Sequence, residues 1–449
     1  MTDGLRFEFQ WEAAEDVNSP ELRATWSRFR LFIGDDCLTL VQDHFTGEVR
    51  NWLDVPTYPL AEWVAMNWWF LTTPANISLI QTQADVDSPL RREKQQFLLT
   101  DHYSLASAGS GFPWPHLKLI PEKSCYLATV FPAENNLARV SFLGRGDYVL
   151  EFGETVRALA KLVDSTCRKL EDVGIQDTPL QVEWAAIQEL DVEEEAFCAA
   201  AATLGFDPFE MEDATAHAIV DASKVTDDTG LFLELLSAVE PEQVVIGSQW
   251  LAAALARLGR SARDAESTSA TDLKKQVLAR SDARPPVLHS ARTPWVIGYQ
   301  RARLVRQVLG VPETQPIDID DLVESASVRR AAPERIQALG SWATGTLVSV
   351  VGPDRATDRR RHFTQARTLS RYLFDGGSPT FIVAHGTTIR DRSERAFAAE
   401  LLVPARGLEE LLEGQFSNAA RDKAARHFGV NRLVVEHQLE NQLGVAALW

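Results

Sequence analysis

Arg367 and Arg371 stand four residues apart in a stretch, Arg359 to Phe374, whose apolar residues recur at helical spacing. At i and i+4 the two share one helix face. Two guanidinium forks on one face can pair with carboxylates of a neighbouring helix, clamp a phosphate or carboxylate as an anion site, or lie in solvent. The candidate carboxylates are Asp391, Glu394 and Glu400. Glu394 and Glu400 are six apart and point to different sides of their helix, so at most one of them faces the arginines. The expectation is that Glu394 or Asp391 pairs with Arg367 and that Arg371 keeps more solvent contact.

Metal chemistry has weaker support. The histidines and acids near this segment, His362, His385, Glu394, His427 and His437, contain no pair of histidines at i and i+4. A lone histidine is more often structural than a ligand. The four cysteines, Cys37, Cys125, Cys167 and Cys198, are too far apart for a CxxC zinc motif and give no disulfide framework. No cofactor is expected.

The elements that would position these residues read as an α+β protein of three parts. Residues 1–175 form a Trp-rich α+β domain. Leu5–Trp11 alternates as a half-buried strand does, and Gly34-Asp35-Asp36 marks a hairpin between strands at 29–32 and 37–41. Further strands are expected at 48–55, 116–120, 125–131, 138–143 and 148–152, with helices at 59–71 and 154–170. Trp63, Trp68 and Trp69 read as core, with a ligand-stacking wall as the other reading. Residues 176–275 form an acidic helical domain ending in a polar linker at 261–271. Residues 280–449 form the third part. It has helices at 294–309, 318–325, 359–374, 393–402 and 407–412, strand material at 341–351, and a helix–turn–helix pair at 419–428 and 432–443.

Two segments of this third part carry a family likeness. One is His362-Phe-Thr-Gln-Ala-Arg-Thr-Leu-Ser-Arg-Tyr-Leu373. The other is Glu394-Arg-Ala-Phe-Ala-Ala-Glu-Leu-Leu-Val-Pro404. With the tail Ala424-Ala-Arg-His-Phe-Gly-Val-Asn431, they resemble, in that order, the ImmA/IrrE family of zinc metallopeptidase-like domains over about 150 residues. The family form of the first helix is RFTLAHELGHYL, and the second carries AxxFAAELLxP after an acidic third ligand, to which Asp391 and Glu394 lie nearest. Where the family has HExxH, this chain has Arg367, Thr368 and Arg371. Arginine offers no lone pair to a metal, and threonine cannot act as a general base near neutrality. The resemblance therefore implies a degenerate, zincin-like and mostly helical domain that cannot assemble the family's zinc site.

Charge adds a constraint on partners. The chain of 449 residues carries a net charge of −18. Residues 171–250 alone have 18 more acids than bases, whereas 281–449 sum to +3. So acidic a surface repels phosphate backbones, which makes the chain a poor nucleic-acid binder and leaves a basic protein partner as the sharper reading. The terminal helix pair has one arginine against two glutamates on its second helix and reads as structure or protein contact rather than DNA contact. No apolar run reaches membrane-spanning length, and the N-terminus has no secretory pattern, so a cytoplasmic protein without a membrane contact is expected. Family members are linked to helix–turn–helix repressors, toxin–antitoxin modules and bacterial stress or mobile-element responses. The resemblance thus implies a regulatory or protein-binding role, an inactivated peptidase domain recognising a client or partner regulator without cutting it. The competing classes are a metallopeptidase with a non-standard metal site and a transcription regulator using the terminal helix pair.

Overall fold

The computed structural model describes residues 4–76, 100–132, 139–261, 269–280, 293–343, 345–353 and 357–445. Backbone packing divides the described residues into two compact units, those up to Ala216 and those from His217 on. Both units mix helix and strand, so the protein is α+β.

In the first unit, β1 (Leu5–Trp11) begins a run of short strands. They are β2 (Trp26–Ile33), β3 (Asp36–Cys37), β4 (Val41–Asp43), β5 (Val49–Arg50) and β6 (Leu53–Pro56), with helix α1 (Pro20–Ala24) between β1 and β2. Helices α2 (Tyr58–Met66) and α3 (Trp68–Thr72) follow. Then come β7 (Leu117–Pro121), β8 (Cys125–Val130), β9 (Val140–Phe142) and β10 (Gly146–Glu151). Helices α4 (Phe152–Asp172), α5 (Pro179–Glu189) and α6 (Val192–Thr203) close the unit. β2 pairs antiparallel with β1 along its whole length and with β3 and β6. Two three-stranded antiparallel sheets have the orders β10-β8-β7 and β5-β4-β9.

The hairpin turn sits where Gly34 and Asp35 predict it, Gly34 adopting φ +57° and Ile33 pairing with Asp36. Two expected elements are broken. The strand at 48–55 is two, β5 and β6, and the helix at 59–71 stops at Asn67, whose side chain donates to the Trp63 carbonyl at 2.8 Å. Trp63 is buried in the core and its indole N–H bonds to the Asp101 carbonyl, while Trp68 packs edge-on to Trp184. These tryptophans are packing residues.

The acidic middle stretch does not pack as one body. The alanine face of α6, Ala199–Ala202, is buried, and Ala202 packs with Phe70, Ala75 and Tyr103 of the first unit. Helix α7 (Asp213–Ser223) spans the division, and α8 (Thr229–Ser237) and α9 (Val244–Ser261) belong to the second unit. There α8 packs on one sheet edge and α9 on the sheet's other strands. Burial of small and apolar faces, rather than charge, decides where each acidic helix belongs. Of the expected linker, 262–268 lie outside the described residues, and 269–271 already begin a helix.

The second unit continues with α10 (Ser269–Arg280), α11 (Pro294–Leu309), β11 (Glu324–Ser327), β12 (Ile336–Ser341), β13 (Val348–Val351) and α12 (Asp358–Phe374). It ends with β14 (Thr380–Ala384), α13 (Ile389–Leu402), α14 (Ala405–Leu412), α15 (Asn418–His427) and α16 (Arg432–Leu443). Its sheet has the order β11-β13-β12-β14, with β11 parallel to β13 and the other pairs antiparallel. The helix expected at 318–325 is absent. Residues 318–323 turn, and Glu324–Ser327 form an edge strand paired with Val348–Val351. Parallel pairing with a distant strand overrides a weak local helical pattern.

α11 has the predicted bounds. Proline fits its first turn, and Gly310 ends it in the left-handed conformation at φ +66°. α11 also lies unusually close to α13. A Cβ added to Gly298 would stand 2.2 Å from the Ser393 carbonyl oxygen. Helices α12 and α13 pack side by side, and Leu369, Phe397 and Leu401 meet in one core.

Candidate functional site

Arg367 and Arg371 of α12 point into the unit. Arg367 is wholly buried. Its guanidinium donates to Glu394 Oε2 at 2.8 Å, to Asp391 Oδ1 at 3.1 Å and to Gln337 Oε1 on β12 at 2.7 Å. Both expected carboxylates therefore hold it at once. They do so because α13 starts earlier than its apolar pattern suggests. Thr388 caps the helix, accepting from the Asp391 N–H at 3.0 Å and donating to Asp391 Oδ2 at 2.7 Å. This fixes Asp391 in the first turn, where the helix dipole favours a carboxylate. Glu394 follows three residues later on the same face.

Arg371 departs from expectation. It is 4% exposed and lies in the interior. One arm donates to the Ile382 carbonyl on β14, and the other pairs with Glu234 of α8. The other Glu234 oxygen accepts the Ile382 N–H at 2.8 Å. One buried carboxylate thus joins an arginine of α12 to the backbone of the edge strand β14. Arg390 lies 3.8 Å from both Glu234 and Glu394, and completes an interior cluster of three guanidinium and three carboxylate groups. Burial pushes the Glu394 carboxyl up from its usual range, against the pull of Arg367, Arg371 and Arg390, and Asp391 beside it adds to the rise.

Thr368, between the arginines, is also fully buried. Its hydroxyl donates to the Thr364 carbonyl at 3.0 Å and reaches Ser349 Oγ at 3.2 Å. Glu400 faces elsewhere, as its spacing from Glu394 requires. It accepts from Arg303, Gln438, Gln442 and the Ala405 N–H, binding α11, α13, α14 and α16 together.

Glu234 lies outside the motif segments, yet it stands alone among apolar residues in Leu231-Phe-Leu-Glu-Leu-Leu236, and a carboxylate in an apolar run must find a cation when buried. Gln337 carries no comparable signal.

A zinc ion does not fit here. The helix face presents guanidinium groups and a hydroxyl, which offer a metal no imidazole or carboxylate of their own. The rings of His362 and His427 bond to Asp320 at 3.2 Å and to the Thr314 carbonyl, and the backbone N–H of His385 bonds to the Arg335 carbonyl. Among the described residues, no group of three His, Cys, Asp or Glu side chains is arranged to hold a metal ion. In the terminal helix pair Arg421 is buried with its Nε on the Phe416 carbonyl, Arg432 is engaged by Glu436 and Asn418, and Lys423 and Arg426 are exposed. Among the described residues, no helix is long and apolar enough to cross a membrane.

Comparison with models of known protein families and with curated proteins gives no match for this chain.

Proposed function

We propose that residues 280–449, within the second unit, form a degenerate ImmA/IrrE-like domain acting as a regulatory, protein-binding module that recognises a client without cleaving it. The setting this reading implies is a bacterial stress, toxin–antitoxin or defence response. The observation that carries it is the buried pairing of Arg367 with Asp391 and Glu394. In a zinc peptidase the corresponding face holds two imidazoles and a general-base carboxylate around a metal with one open position. Here the same i, i+4 face is filled by ion pairs that exclude solvent, so neither a metal-activated water nor a scissile bond has room. The motif residues that pack rather than react, Leu369, Phe397, Leu401 and Leu402, are all buried, as a retained scaffold requires.

The test is an assay of the full chain against a denatured protein substrate with and without added zinc. The expected result is no cleavage above that of a heat-inactivated sample. Zinc-dependent, chelator-sensitive cleavage would overturn the reading.

A further inference from the structure

On another face of the second unit, α11, α13 and α16 and the first turns of α12 enclose a groove of about 620 Å³. Its apolar lining is aromatic: Trp295 and Tyr299 from α11 and Phe363 from α12, over Ala396 and Val434. Arg392 and Arg395, one turn apart on α13, supply its cations. Trp295, on the groove wall, is 41% exposed. Isolated exposed apolar residues need no explanation, but several around one concavity mark a contact surface.

The two arginines differ in engagement. Arg395 donates to the Gly386 carbonyl, whereas the Arg392 side chain has no hydrogen bond or ion pair among the described residues. Burial and the nearby Arg367 lower the Arg395 pKa, and Arg392 repels it further. Glu440 is the one acid among the lining residues, so the groove is cationic in a chain of net charge −18. The acidic surface elsewhere does not cancel this attraction at contact, because charges more than about 8 Å away are screened at physiological salt.

We propose that this groove docks an acidic amphipathic helix of a protein partner, its apolar side chains against Trp295, Phe363 and Val434 and its carboxylates on Arg392 and Arg395. Three helices flanking an open, apolar-floored trough match the helix-in-groove mode of recognition. The aromatic lining beside Arg392 and Arg395 favours an amphipathic segment over a small anion. The proposal deepens the reading of the unit as a client-binding module and rests on it, placing the client away from the buried Arg367 cluster.

The experiment selects a displayed library of random helical peptides against the full-length chain, then titrates the labelled winners by fluorescence anisotropy. The expected winners carry aspartates and glutamates with one or two large apolar residues. Arg392→Glu and Trp295→Ala should each weaken them about tenfold or more, as loss of a hot-spot anchor does. Val182→Ala, at an exposed position of the first unit, should leave affinity unchanged. Circular dichroism and thermal melts check that the two groove variants fold. The proposal is overturned if selection yields no binder, or only binders insensitive to both groove substitutions. Those results leave the non-cutting reading intact. Cleavage of a groove-bound peptide would instead sink that reading while leaving the groove assignment in place.

Discussion

Arg371 and Glu234 lie 137 residues apart in the sequence and form an ion pair inside the second unit, with both side chains less than a tenth exposed. The pair fastens an acidic helix to the sheet edge at Ile382 and turns a surface-like arginine into a structural one.

Removing one partner leaves the other buried with weaker compensation, Glu234 against Arg390 at 3.8 Å and Arg371 against the Ile382 carbonyl. Arg371→Ala should lower the stability of the second unit by about 3–5 kcal/mol, as should Glu234→Ala, because a poorly compensated interior charge costs far more than a surface pair contributes. Arg371→Met combined with Glu234→Leu should recover only part of that loss, because the buried Ile382 N–H and C=O then lose their side-chain partners. Urea titrations of the three variants check this. Negligible shifts in the single variants would show that the pair opens freely to water.

Close packing of α11 on α13 rests on Gly298. Gly298→Ala places a methyl group within 2.2 Å of the Ser393 carbonyl oxygen and 2.8 Å of the Ala396 Cβ. Backbone cannot yield there as a side chain would, so a loss of at least about 1–3 kcal/mol is expected. An unchanged melting temperature would contradict the observed helix approach.

The first unit carries a pH-sensitive contact. His102 stacks on Phe70 with ring centroids 4.0 Å apart, and its Nδ1 lies 2.6 Å from Asn67 Oδ1. Burial lowers its pKa below the ordinary 6.5. The unfolded chain therefore takes up the proton first as pH falls. The contribution is fully present above about pH 6.5 and is lost as pH drops through the lower folded value. His102→Gln should remove this part of the pH dependence. Melting temperatures of both proteins at pH 5 and pH 8 test it, and identical slopes would refute the assignment.

Local chemistry made some elements legible and left others hidden. α11 has its expected bounds because proline and a left-handed glycine mark its two ends within a few residues. The helical pattern at 318–325 misleads because the strand character of β11 comes from pairing with Val348–Val351, which no local pattern records. The partners of Arg367 are legible because Asp391 and Glu394 lie on the very next helix. The partner of Arg371 is hidden because Glu234 lies 137 residues away on an acidic helix of the middle stretch. Contacts between neighbouring elements can be argued from spacing, whereas those closing a long loop depend on the tertiary fold.

The central claim, that buried ion pairs have taken the place of a metal site, is tested most directly by zinc content. The full-length protein would be dialysed and measured by mass spectrometry, alongside a variant carrying Arg367→His, Thr368→Glu and Arg371→His. The wild-type chain should hold far less than one zinc per molecule. The triple variant, with one imidazole facing Asp391 and Glu394 and a second on the same helix face one turn on, should gain about one. A wild-type protein that retains about one zinc per chain, and loses it when His362 or Glu394 is substituted, would contradict the account.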